Sequence, residues 1–121
     1  MEIIKPVTFA TGMLLSSDAV ETVATWLVGT TYAKDEEAEY SNSIWVSLQA
    51  SNTGYAPGAA GSETWWIRKS ANNKYSMFDE FVNTQTTRAS SLTVVVQPGK
   101  RVNSAAVFNV AGVTSLRVIG N

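Results

Sequence analysis

Short stretches in which apolar and polar residues alternate recur along the chain, and turn residues separate them at fairly even intervals. That is how antiparallel sandwiches and barrels read. The clearest alternation covers residues 44–50, with Ile44, Val46 and Leu48 on one face and Trp45, Ser47 and Gln49 on the other. A strand is expected there, one face packing inward and the other carrying an indole. Further strands are expected at residues 2–4, 7–9, 20–24, 65–69, 92–97, 105–110 and 115–119, enough for two packed sheets. Residues 92–96 and 105–108 are apolar on both faces, as in the middle of a covered sheet. Between them Pro98-Gly99 and Lys100-Arg101 mark an exposed connection. Gly54, Gly58, Gly61 and Pro57 exclude residues 51–62 from helix and central strand, so a surface loop is expected there. Residues 18–24 also suit a single helical turn capped by Ser16 or Ser17, with Glu21 near its start. Helix is otherwise minimal, and no repeat or linker divides the chain. The expected fold is mostly β: an antiparallel β-sandwich, jelly-roll-like, forming a single domain over residues 1–121.

Composition narrows what such a fold can do. At 121 residues one hydrophobic core is expected, without a disulfide or metal to hold it together. The chain has no Cys and no His, so a Ser-His-Asp or Cys-His nucleophile and a zinc site built on those residues are excluded. An acid or base working at neutral pH would have to be a shifted carboxylate, Lys or Tyr. The expectation is a protein that is not an enzyme, with no catalytic residues, no metal and no cofactor. Nine basic residues stand against ten acidic ones, for a net charge of −1, and the basic ones are scattered without a stripe. Nucleic acid is therefore not an expected partner. No apolar run approaches a membrane span and the N-terminus lacks a signal-peptide pattern, so the expectation is a soluble protein made in a cytoplasm and not inserted in a membrane.

The aromatic residues draw the next inference. Of the four tryptophans, Trp45, Trp65 and Trp66 flank the glycine-rich segment. Neighbours on a strand point to opposite faces, so at most one of Trp65 and Trp66 belongs wholly to the core. The other either stacks on a sugar face, with Asn52, Gln49 or Glu63 meeting the hydroxyls, or packs under the loop or on another subunit. Asp35, Glu36, Glu37 and Glu39 form an acidic run whose spacing does not match a calcium loop, and a solvated turn between Tyr32 and Tyr40 is expected. Asp79 is read as a local cap or hydrogen-bond acceptor for the hydroxyl- and amide-rich residues 83–87.

The order of these motifs resembles a β-rich module of virion and tail-associated proteins of tailed bacteriophages. The likeness rests on Ile4-Lys5-Pro6-Val7-Thr8, Trp26 with Gly29-Thr30-Thr31-Tyr32, Trp45-Val46-Ser47-Leu48-Gln49, Asn52-Thr53-Gly54 with Pro57, Trp65-Trp66, Asn73-Lys74-Tyr75-Ser76-Met77-Phe78-Asp79 and Thr84-Gln85-Thr86. It covers nearly the whole chain and implies a structural component of the tail, baseplate or fibre, located in the virion. Residues 26–66 are also similar to the small carbohydrate-binding modules that hold chitin or cellulose, departing from them at Lys34-Asp35-Glu36-Glu37, where those modules carry a Gly-Asp turn. Residues 72–119 look like a jelly-roll half of the galactose-binding type. In related phage proteins the module often opens a longer polypeptide, so both a stand-alone virion protein and a piece of a longer one fit.

Two functional readings follow. In the first, a non-enzymatic virion protein, a homo-oligomer in the particle, docks on other phage tail proteins through edge strands and aromatic anchors. In the second, exposed rings bind a host-surface polysaccharide, with weak single sites multiplied by copy number. The residues expected to make glycan or partner contacts are Trp26, Tyr32, Trp45, Asn52, Tyr55, Trp65 and Trp66. Hydrolysis by Asp79 with an acidic partner is a third, minor reading.

Overall fold

A computed structural model describes residues 7–79, 81 and 83–120 of the chain. The fold is mostly β, made of small antiparallel sheets with two single turns of 3-10 helix, Thr11–Met13 and Ser76–Phe78. The strands are β1 (Leu14–Ser17), β2 (Thr31–Tyr32), β3 (Glu37–Tyr40), β4 (Ser43–Ser47), β5 (Asn52–Thr53), β6 (Trp66–Ala71) and β7 (Val94–Val96).

The central unit is the sheet β3-β4-β6. Its hairpin from β3 to β4 turns through Ser41 and Asn42, both at positive φ (52° and 61°). Two consecutive left-handed residues make the tight turn whose twist matches paired strands, and Asn tolerates that region well. The turn sets the register Tyr40↔Ser43 and Ala38↔Trp45. On the far side β4 pairs with β6, with a bulge where Ile44↔Ser70 is followed by Trp45↔Arg68. The outer edge of β3 is partly covered, because Thr25 bridges to Glu39 and the N–H groups of Trp26 and Glu39 donate to Glu39 and Ala24 carbonyls at 2.8 Å.

Two further pairs are separate ribbons. β2 lies against β5, Tyr32 opposite Asn52. β1 lies against β7, Leu14 opposite Val96 and Ser17 opposite Val94. Asp18 fastens the second ribbon: its carboxylate accepts the Thr93 N–H at 2.8 Å and pairs with Arg88. These interactions hold the Asp18 carboxyl below the ordinary aspartate range, the hydrogen bond from Arg88 being the largest cause and that from Thr93 the next.

Several expectations are corrected. The strand expected at 2–4 lies outside the described residues. Residues 7–9 form no paired strand, and 92–97 contracts to β7. Residues 20–24 form neither strand nor helix, because Glu21 accepts the Thr22 and Val23 N–H groups at 2.8 and 2.9 Å, replacing the ladder or helix partners. Residues 105–110 and 115–119 carry no strand pairing among the described residues, and positive φ at Asn109 (53°) and Gly112 (69°) interrupts the run. The acidic run is not all turn either: Glu37 and Glu39 are in β3, with Glu37 paired to Lys69 across the sheet.

Candidate functional site

The aromatic residues converge where β2, β4, β5 and the start of β6 meet. Tyr32, Ala38 and Trp66 form the buried apolar cluster, with Trp26, Trp45 and Trp65 packed around it. Tyr32 and Trp66 meet edge to face, with centroids 5.0 Å apart at 71°, an arrangement that sets the positive ring edge on the negative face. The Tyr32 hydroxyl accepts the Leu27 N–H at 2.7 Å. Trp66, only 3% exposed, donates its indole N–H to the Tyr55 carbonyl at 2.8 Å. Each buried ring thus has its polar atom satisfied, which makes burial favourable.

Beneath the cluster lies a polar pin. Asn52, 1% exposed, donates its side-chain amide to the Ser47 hydroxyl at 3.1 Å and to the Trp65 carbonyl at 3.2 Å. Ser47, fully buried, donates in turn to the Gln49 carbonyl at 2.8 Å. Both faces of β4 are covered: Ile44 is buried and Val46 half-buried on the face expected to pack inward, while Ser47 is buried and Trp45 half-buried on the other; Leu48, beyond the strand, is exposed.

The cover on the Trp45 face is the glycine-rich loop, which lies at the surface as expected, with only its Asn52, Pro57 and Ser62 buried. Ser62 is buried and its carbonyl accepts the N–H groups of both Trp65 and Trp66 at 2.9 Å. Gly58 sits on the Trp45 ring: a Cβ there would lie 3.0 Å from Cη2 and Cζ2, and its φ is +74°. Trp45 Nε1 donates to the Tyr40 carbonyl at 3.1 Å, and Trp26 packs edge-on to Tyr40 with centroids 5.3 Å apart.

What remains at the surface is a stacked pair. The rings of Tyr55 and Trp65 lie 4.2 Å apart at 11°, with Trp65 half-buried and Tyr55 41% exposed. Trp26 and Trp45 are half-buried. Of the residues expected to make contacts, Tyr32, Asn52 and Trp66 are buried and belong to the scaffold: the Tyr32 hydroxyl, the Asn52 side-chain N–H groups and the Trp66 indole N–H are engaged within the chain, while Asn52 Oδ1 is buried without a partner. The sequence reading passed over Ser47, Gly58 and Ser62. The glycine needed by a ring and the small hydroxyls buried under indoles leave no periodic signal; the closeness of Gly58 to Pro57 was the available hint.

Among the described residues, carboxylates do not converge on this surface. Glu36 accepts the Ala33 N–H at 2.8 Å, Glu39 the Asn42 N–H and the Asn72 side chain at 3.2 Å, and Asp79 the Phe81 N–H at 3.1 Å together with the Thr84 hydroxyl. Asp79 thus serves the polar segment that follows it. An open groove of about 680 Å³ lies elsewhere, between residues 20–23, β6 and residues 85–90. Its Glu21 is held by backbone N–H groups, including that of Asn73 at 2.7 Å, and the Asn73 side chain ties the Val20 and Thr87 carbonyls together. Among the described residues no cluster of acidic side chains is arranged to hold a metal, and no helix is long and apolar enough to cross a membrane. No family model, curated protein or solved structure matches the chain. The site thus sets the half-buried Trp65 and the exposed Tyr55 over a base in which Asn52 Oδ1 and Trp26 Nε1 are buried without a hydrogen-bond partner.

Proposed function

We propose that the chain is a non-enzymatic structural component of a tailed-bacteriophage virion, in the tail, baseplate or fibre, which docks on neighbouring tail proteins. The observation that carries this reading is the state of residues 105–119. They are strand-forming and apolar, yet every residue from 101 to 120 is exposed. Phe108 is 82% exposed and Ile119 69%. A free monomer gains nothing from such a display, and large exposed apolar stretches mark contact surfaces. Docking by strand addition uses the backbone groups of this segment for affinity and its alternate side chains for specificity. Pairing it with a neighbouring strand also completes the second layer of the jelly-roll-like sandwich. The phage assignment comes from the resemblance of the motif series, and the test is the particle itself. Gradient-purified virions are expected to retain the chain at fixed copy number through salt washes; its absence from them ends the reading.

A second reading, glycan binding, is favoured by the Tyr55–Trp65 stack. A flat aromatic surface beside amide and hydroxyl groups suits the apolar face of a pyranose. Titration of cell-wall polysaccharide against tryptophan emission is expected to show a shift that Tyr55→Ala removes; emission unmoved by every polysaccharide tried eliminates this reading.

A further inference from the structure

We infer that residues 105–119 of one copy pair with the β1–β7 ribbon of a second copy of this chain, in a reciprocal exchange. The inference rests on the docking reading above and names the partner.

Charge is the first argument. Residues 97–121 carry Lys100, Arg101 and Arg117 and no acidic residue, a net +3, whereas residues 1–96 carry six basic against ten acidic residues, a net −4. The chain is thus divided into a basic, apolar tail and an acidic body, which attract one another across two copies and cancel nearly to neutrality. In its own chain the tail stands off the body: none of residues 98–120 makes a hydrogen bond to another described residue.

The ribbon supplies the matching edge. A two-stranded antiparallel pair is marginal in water, and β1–β7 has no third strand among the described residues. Leu15, Val95 and Val96 on it are exposed, like Phe108, Val113, Leu116, Val118 and Ile119 in the tail. The sheet β3-β4-β6 is a poorer acceptor, since the bridge from Thr25 occupies part of its β3 edge and its β6 edge, exposed from Ile67 to Lys69, carries Arg68, whose charge repels the basic tail. A large apolar side chain offers roughly 100 Å² for burial, so covering these eight removes on the order of 500 Å² where they are about half exposed. Reciprocal exchange doubles the total to about 1,000 Å², the lower limit for a biological interface and the size of a weak, reversible one. It also closes the assembly with two-fold symmetry.

The experiment is sedimentation equilibrium of the full chain, with amide hydrogen exchange read on residues 105–119. The wild type is expected to be a dimer with slowed exchange in the tail, weakened by added salt. Phe108→Asp with Leu116→Asp, and separately Val95→Asp, are expected to weaken dimerisation roughly a hundredfold by placing charge in the apolar seam, with near-ultraviolet circular dichroism of the tryptophans unchanged. A wild type that stays monomeric overturns the inference, whether its tail exchanges freely or is protected by folding on its own body. A dimer that survives both sets of substitutions overturns it as well. A monomeric chain still present in purified virions defeats this inference alone, while absence from virions defeats the docking reading whatever the oligomeric state.

Discussion

Tyr55 lies flat on Trp65, 4.2 Å between ring centroids, while the carbonyl of the same tyrosine accepts the indole N–H of buried Trp66 at 2.8 Å. One residue therefore links the exposed ring to the core, its side chain working outside and its backbone inside. The adjacent tryptophans are separated in role by the same geometry.

The two indoles are consequently expected to respond differently to truncation. Trp66→Ala removes a filled, hydrogen-bonded core ring and is expected to cost about 3–5 kcal/mol, enough to unfold much of the protein. Tyr55→Ala leaves its own carbonyl in place and removes only the stack, about 0.5–1.5 kcal/mol. Chemical denaturation of both variants measures the difference; equal losses contradict the division between scaffold and surface.

The polar pin predicts a loss that volume does not explain. Asn52→Leu keeps the size of the side chain but removes the amide hydrogen bonds to the Ser47 hydroxyl and to the Trp65 carbonyl, which still accepts the Leu48 N–H at 2.9 Å, and is expected to destabilise by about 0.5–1.5 kcal/mol. Denaturant unfolding of Asn52→Leu beside Asn52→Asp, which also lacks the donor amide, checks this; a neutral Asn52→Leu contradicts the pin.

Gly58→Ala is expected to destabilise twice over. The new Cβ meets the Trp45 ring at 3.0 Å, and a positive φ of 74° costs about 1–2 kcal/mol for a residue with a side chain. A crowded Trp45 should also shift its fluorescence. Gly54→Ala, at φ +81° with open space around its Cβ, is expected to show the backbone cost alone, and thermal melts compare the two.

The attachment of β7 is expected to depend on acid. The Asp18 carboxyl is held below its ordinary value by Arg88 and Thr93, so its contribution is present above the unfolded aspartate pKa and is lost as pH falls through the folded one. Exchange of the Thr93 amide should therefore accelerate in that acidic window and not between neutral and mildly acidic pH. In Asp18→Asn this pH dependence is expected to vanish; an unchanged profile contradicts the assignment.

How much of this was legible in the sequence depends on whether local pattern or tertiary cover decided each residue. The alternation around Trp45 located β4; Trp65 and Trp66 do differ in burial, but because Trp65 lies in the turn before β6 and not beside Trp66 on a strand. The cover on the second face was not legible, because Ser47 and Asn52 are polar by composition yet buried under the loop, an outcome set by ring-to-glycine packing. β3 was hidden within the acidic run, since Glu37 and Glu39 lie on the outward face of a strand closed by left-handed Ser41 and Asn42. The tail shows the opposite failure: Val107 and Phe108 read as interior strand, yet among the described residues no strand pairs with them and both are exposed.

The most direct measurement is a reconstruction of the intact particle at side-chain detail. The account predicts density for this chain in the tail, with residues 105–119 paired against a neighbouring strand. Particles lacking the chain, or a chain whose tail lies unpaired in solvent there, would contradict it.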